Sequence, residues 1–294
     1  MSAARSLAPW PQRRARPSAA DPARSYNGGV KASKAAVREA ATVMLVRDAP
    51  ELEVFMLRRN PESVFAGGAY VFPGGAVDAG DRALGEDLRF WVAAVRETFE
   101  EAGVLLARTR ADDRPLDASP DAMAELAADR IRLLADAVSF DAVLDAHAAH
   151  IDLDALVPFA RWITPSPSPR RFDTWFFAAA APEGHAYEHD DHELVASEWV
   201  RPVDALARAR GGEFELIYPT VRTLLVMARY ESAADFLADA RARWQRPDPL
   251  RVMNPMQGWQ LDLGTLADLE ADNDFTRALF PARERFAEEL SCPT

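Results

Sequence analysis

Arg96-Glu97-Thr98-Phe99-Glu100-Glu101-Ala102-Gly103-Val104 is the stretch on which the reading of this 294-residue chain turns. It closes a helical pattern that begins at Leu88, just after Asp87, and stops at Gly103, a residue suited to the left-handed position past a helix end. At 100° per residue, Trp91, Val95, Thr98, Phe99 and Ala102 share one face, while Glu97, Glu100 and Glu101 lie on another. Glutamates at i, i+3 and i+4 bring three carboxylates together, and like charges at that spacing repel unless a cation or an arginine stands among them. Taken alone, such glutamates would make a solvated acidic face. The other reading is a metal site, because hard divalent cations such as Mg²⁺ take carboxylate oxygens, keep some waters and complete their shell with phosphate oxygens.

Around this helix the punctuation is that of an α/β protein. Ala40 to Val46 is apolar and β-branched, Asp48-Ala49-Pro50 makes a turn, and Glu53 to Leu57 alternates toward Arg58-Arg59, which predicts two paired strands. A glycine-rich stretch from Phe65 to Asp78 holds a short strand, Tyr70–Phe72, that breaks on Pro73-Gly74-Gly75, so backbone there must pass close to another group. Val104–Ala107 is expected as a strand. Residues 108–150 read as an inserted helical pair, Pro120 to Leu134 and Phe140 to Ala149. Strands resume at Phe159–Thr164 and Phe172–Ala180, joined by Pro165-Ser-Pro-Ser-Pro169 and Arg170-Arg171. A hairpin is expected next, with its tip at Gly184–Glu193 and its return strand at Val195–Val200. Helices follow from Pro202 to about Arg210, at Pro219–Tyr230 and at Ala233–Arg243. This order predicts a mixed α/β sandwich around one sheet.

Composition narrows the function. The chain is 49% hydrophobic and 27% charged, which suits a globular enzyme, and it has no apolar run near the ~20 residues that span a bilayer. A net charge of -12 argues against a nonspecific nucleic-acid binder. Charge is uneven: residues 1–40 carry a net +6, leaving -18 for the rest. Residues 1–37 are therefore expected as a disordered basic tail without a secretory apolar segment. The single cysteine, Cys292, excludes an intrachain disulfide and suits a reducing, cytoplasmic location.

The helix and its glycine-rich approach resemble the box of the Nudix hydrolases, G-x5-E-x7-R-E-U-x-E-E-x-G-U with U apolar. Arg96, Glu97, Glu100, Glu101 and Gly103 match, and Gly75 fits the leading glycine. Asp81 stands where the family has Glu, Thr98 replaces the usual apolar residue, and about seven residues, Arg82 to Leu88, are inserted before the helix. The resemblance implies a Nudix-type α/β/α sandwich with a central mixed sheet over residues 38–230, inserted helices at about 108–150 and a helical extension over 231–294. It implies Mg²⁺ or Mn²⁺ held by Glu97, Glu100, Glu101 and the Gly75 loop, with Arg96 orienting a glutamate. Glu101, Glu193 and Glu198 are candidates for the base, and Glu198, directly before Trp199, stands where the family often has an acid.

The interrupted box, Arg58-Arg59, the glycine-rich approach and Trp162-x-Thr-Pro…Arg170-Arg-Phe-Asp-Thr-x-Phe-Phe177 resemble one branch in particular, that of the mammalian peroxisomal coenzyme A diphosphatase. That likeness implies hydrolysis of the diphosphate in a nucleoside diphosphate linked to another moiety, coenzyme A or acyl-CoA first, ADP-ribose or NADH as the alternative. Arg58, Arg170 and Arg171 are candidates for gripping phosphate, and Phe65, Tyr70 and Trp162 for stacking on adenine. The partner is then a small nucleotide, with no nucleic acid and no membrane. The inserted helices and those after residue 219 are the expected seats of substrate selection or homodimer contacts. A nucleotide sensor without turnover and an acidic-face scaffold are the rival readings. The hairpin cluster His185, Glu188, His189, Asp190, Asp191, His192 and Glu193 lacks regular ligand spacing, and His147 and His150 read as surface residues.

Overall fold

β1 (Val37–Asp48) is the axis of the sheet, and from Ala40 to Val46 it is buried without interruption, as a strand covered on both faces must be. The computed structural model describes residues 36–63, 66–164, 170–189, 193–244 and 259–260. Most of the expected basic tail, Phe65, the Pro165–Pro169 loop, hairpin residues 190–192 and most of the chain beyond Trp244 lie outside them. The turn after Asp48 returns the chain into β2 (Leu52–Arg59), antiparallel to β1 with Val46 opposite Val54. β3 (Tyr70–Val71) pairs with β2, and β4 (Gly74–Ala76) with Thr42, Ala41 and Ala40 of β1.

On the other side of β1 runs β8 (Arg171–Ala180), parallel to it from Val37 opposite Arg171 to Val46 opposite Ala180. β7 (Val157–Ile163) is antiparallel to β8, and β10 (Trp259–Gln260) pairs with β7. β9 (Leu194–Val200) is antiparallel to β2. This corrects the expected hairpin: β8 lies between β7 and β1, whereas β9 joins the sheet two strands away, beyond β2. The return strand was placed well but its partner was not, because strand pairing is a long-range choice that local pattern does not carry.

Side chains of β1 alternate between two cores. Ala41, Val43 and Leu45, with Phe55, Leu57, Phe177 and Ala179, meet α1 (Arg89–Ala102) through Val92, Val95 and Phe99. Met44 and Val46, with Val54, Met56, Phe176 and Ala178, meet α4 (Pro202–Gly211), α5 (Tyr218–Met227) and α6 (Ala233–Trp244). Helices on both faces of one mixed sheet give the three-layer α/β sandwich that the element order predicts. The helical pair is present as α2 (Pro120–Leu134) and α3 (Phe140–Ala146), each capped by a serine, Ser119 and Ser139, that accepts from the backbone three residues on. Before and after the pair run the two strands of a small ladder absent from the sequence reading, β5 (Ala107–Thr109) with β6 (Ala149–Ile151). Val104 to Leu106, expected as strand, is buried apolar backbone without a ladder.

Phe177 joins the layers, fully buried and packed edge-on to Trp91 of α1. Phe177→Ala is expected to lower unfolding free energy by about 3–5 kcal/mol in urea titration, with the slope unchanged.

Candidate active site

The site begins where β4 pairs with β1. Thr42 is buried mid-strand, and its Oγ1 donates to the carbonyls of Phe72 at 3.2 Å and Pro73 at 2.7 Å, while Val43 N donates to Pro73 O at 2.8 Å. These bonds hold the bend at Pro73-Gly74-Gly75 against the strand. Gly74 has φ +153°, and a Cβ there would overlap the backbone of Ala41 and Thr42, so glycine is required. At Gly75 a Cβ would overlap the Glu97 carboxyl group. Gly74 N donates to Glu101 Oε2 at 2.7 Å. The close approach predicted for these glycines is thus an approach to two of the box glutamates.

Arg96 organises the rest. Its Nε and Nη2 donate to the two oxygens of Asp81, both at 2.9 Å, and Nη2 also reaches Ala76 O at 2.9 Å. Nη1 donates to Glu97 Oε1 at 3.0 Å and Glu100 Oε2 at 2.9 Å. All five guanidinium N–H groups are therefore engaged. Asp81 is 1% exposed and accepts in addition from Asp78 N at 2.7 Å, so the residue that departs from the family box anchors Arg96 at its back. The role of Asp81 is not legible in the sequence, because the insertion blurs its register with the helix.

Asp81, Glu97 and Glu100 stand against one guanidinium. Burial pushes the Glu97 carboxyl up to about 7, with Arg96 opposing and Glu100 adding to the rise. Glu100 is raised as well, by burial first and against the pull of Arg96. Among the described residues no three acidic, imidazole or thiol groups are gathered about one point as a finished metal cage. The reason is visible: Glu97 and Glu100 lean on Arg96, and Glu101 leans on Gly74 N. The donor set still fits a hard divalent cation, being all oxygen, largely buried and short of positive charge.

The insertion before the helix leaves this geometry intact because both its ends are fixed to one carboxylate. Arg82 Nη2 meets Glu39 Oε2 at 2.6 Å, and Arg89 meets the same carboxylate at 3.0 Å through Nε and 2.6 Å through Nη2. Glu39 O also accepts from Val77 N at 2.9 Å. The contacts with Arg89 and Arg82, against a smaller rise from burial, lower the Glu39 pKa to about 2. No sequence signal marked this junction, since Glu39 lies 43 and 50 residues from its partners.

The remaining predicted residues divide. Arg171, whose Nε donates to Thr164 O at 3.0 Å, begins β8 opposite the start of β1, and the exposed Arg170 directly precedes it. That is the end of the sheet where β4 lies, with β1 between them. Arg58 is exposed on β2, its Nε 3.4 Å from Gly68 O and its guanidinium 5.9 Å from the Tyr70 ring. Glu198 stands opposite Met56, whose side chain belongs to the core under α4, so it lies on the sheet face away from α1. Its two oxygens meet Arg208 at 2.6 and 3.2 Å, and Tyr70, stacked on Phe214 at 3.6 Å, is its neighbour there. Trp162 is 5% exposed, edge-on to Phe176 and Tyr218 in the second core. Glu193 is 3.6 Å from Arg59, and His189 Nδ1 is 3.2 Å from Ser197 Oγ. His147, at the end of α3, is paired with Asp129 of α2 at 3.0 Å, and His150 of β6 with Asp113 at 3.1 Å.

A mixed sheet clasped between helices, with an arginine and three glutamates on one helix facing a double-glycine bend, defines the Nudix class. Residues 80–226, half of the chain, match the family described as the NUDT19 Nudix domain, and the chain belongs to that family. It is 33% identical to a putative nudix hydrolase 7 of Caenorhabditis elegans over 187 residues, covering 64% of this chain and 59% of that protein. It is 29% identical to the human acyl-coenzyme A diphosphatase NUDT19 over 236 residues, covering 62% of each. The chain thus spans about six tenths of the length of these two relatives. The crystal structure of a Nudix hydrolase from Alicyclobacillus acidocaldarius is similar, with TM-score 0.60 and 28% identity over 70% of this chain and 97% of that one.

Gly75→Ala should fold as the parent does, because the clashing Glu97 carboxyl is the end of a flexible side chain. Its displacement is expected to cost roughly 100-fold in turnover, read by steady-state kinetics beside an unchanged melting temperature. Glu39 has a folded pKa below its unfolded one, so its contribution is complete above about 4.5 and is lost as pH falls toward 2. Melting curves from pH 6 to pH 3 should show a steeper loss of stability in the parent than in Glu39→Gln.

Proposed function

We propose that this protein is a divalent-metal-dependent pyrophosphohydrolase that cleaves the diphosphate of coenzyme A or acyl-CoA. The observation that carries the chemistry is the convergence of Glu97, Glu100 and Glu101 on Arg96 and the Gly74-Gly75 bend. The substrate class rests on the match to the NUDT19 Nudix domain and on the likeness to acyl-coenzyme A diphosphatases. Residues 38–230 are taken as the hydrolase domain, with α2 and α3 as an insertion and residues 231–294 as an extension. A cytoplasmic location belongs to the same proposal.

Glu97, Glu100 and Glu101, with the backbone at Gly75, are the residues that would hold Mg²⁺ or Mn²⁺. A bound ion would neutralise the diphosphate and acidify a water near phosphorus. Arg96 keeps Glu97 and Glu100 in place from behind, and Asp81 keeps Arg96. Water adds to one phosphorus, the bond from that phosphorus to the bridging oxygen breaks, and the other phosphate leaves with the bridging oxygen. We assign the proton acceptor to Glu101 in preference to Glu198, both of whose oxygens are engaged by Arg208 on the far face of the sheet. Arg170 and Arg171, at the β1/β8 end of the sheet, are the guanidinium groups best placed to meet further phosphate.

The test is incubation of the pure protein with Mg²⁺ or Mn²⁺ and a mixture of coenzyme A, acetyl-CoA, ADP-ribose and NADH, followed by mass spectrometry. Release of 3′,5′-ADP with a 4′-phosphopantetheine species is expected. AMP from ADP-ribose or NADH instead would retain the chemistry and replace the substrate, and no turnover with either metal would favour a nucleotide sensor. Glu100→Gln is expected to cut kcat by roughly 1,000-fold or more while nucleotide binding survives.

A further inference from the structure

α1 ends badly on its own terms. Its last turn, Phe99 to Ala102, carries two glutamates and no basic residue, although the negative end of a helix dipole favours cations. The last four carbonyls of a helix also lack partners within it. Gly103, at φ +69°, turns the chain so that its own N–H returns to Phe99 O at 3.0 Å. The carbonyl of Glu100 is met from outside the helix: Arg130 of α2 donates to it through Nε at 2.9 Å. The same guanidinium donates through Nη2 to Glu188 O at 3.0 Å, in the loop between β8 and β9. A Cβ at Gly103 would stand 3.2 Å from Arg130 Nη1, so the bare glycine leaves room for the guanidinium. One side chain of the helical pair thus bridges the backbone of a box glutamate and a loop 88 residues further along.

We infer that Arg130 is a positioning residue for the glutamate site, coupling the helical pair and the Glu183–His189 loop to the turn of α1 that presents Glu100 and Glu101. The inference rests on the metal-site reading above. The turn must bear two carboxylates at the dipole's unfavourable end. Arg130 supplies the compensating charge from a neighbouring element, and its planar fork spans two carbonyls that a single ammonium cannot reach together. Groups that orient metal ligands without touching the metal typically change affinity by about 10–100-fold when removed.

The test is Mn²⁺ binding, measured by electron paramagnetic resonance on the full chain without substrate, for the parent, Glu100→Gln, Arg130→Met and Arg130→Lys. Glu100→Gln should weaken Mn²⁺ binding. Arg130→Met should raise the Mn²⁺ dissociation constant roughly tenfold with the fold retained by circular dichroism, and Arg130→Lys should fall between it and the parent. Parent-like Mn²⁺ affinity in folded Arg130→Met overturns the inference. Should Arg130→Met fail to fold, parent-like affinity in Arg130→Lys overturns it, and a weakened, intermediate affinity supports it. If the parent itself takes up no Mn²⁺, or Glu100→Gln binds it as tightly as the parent, the metal-site reading fails and this inference with it.

Discussion

Five N–H groups on one guanidinium hold the functional half of this molecule together. Arg96 closes on Asp81 with two bonds, on Ala76 O with one and on Glu97 and Glu100 with one each. Removing one partner of a buried ion pair typically costs about 3–5 kcal/mol, because the other is left charged and unsolvated. Here one arginine serves a buried aspartate and two glutamates together. Lysine, with three donors on a point, could not replace it. Because Ala76 ends β4, Asp81 lies in the loop after it and the glutamates belong to the helix, the same side chain also sets the distance between the two halves of the box.

This constraint explains why an interrupted box still works as a box. Seven extra residues need not disturb the glutamates if the chain on each side of them is fixed, and the structure fixes it twice. Asp81 is held by Arg96 just before the insertion, while Arg82 and Arg89 close on Glu39 at its two ends. Glu39 lies on β1, the strand that also carries Thr42 and so the Pro73-Gly74 bend. Loop, insertion and helix are therefore referred to one strand. The sheet centre, buried on both faces, is the stiffest place from which to position them.

What was legible in the sequence follows from how far apart the partners lie. The helix end at Gly103, the glutamate face and the close approach at Gly74-Gly75 are decided within a few residues, and all are present. The helices after Pro120 and Pro202 were marked by turn chemistry and apolar spacing. Choices made across the chain were not legible. β9 pairs with β2 rather than β8, and β5 with β6 across a helical pair, because register answers to the whole sheet. The surroundings of Trp162 were not legible for a related reason, since an aromatic residue in a strand can face a ligand or a second core, and the second core exists only once α5 and α6 have docked. Glu39 and Arg130 stood out in no local pattern, because their partners are 30 to 58 residues away.

The two faces of the sheet show how acidic residues of one type are put to different ends. On the α1 face the glutamates outnumber their arginine, and burial drives Glu97 and Glu100 toward protonation. Such a set is frustrated as it stands, and extra positive charge would relieve it. On the other face Glu198 has its own arginine, Arg208, with both oxygens taken and Tyr70 stacked beside it on Phe214. That arrangement is neutral, satisfied and tied into the core under α4, so it gains nothing from a cation and serves to lock β9 and β3 against the helix. Residue type made Glu198 a reasonable candidate for proton transfer. Position separates it from Glu101, which lies 6% exposed beside the Gly74 amide, on the helix that also carries Glu97 and Glu100.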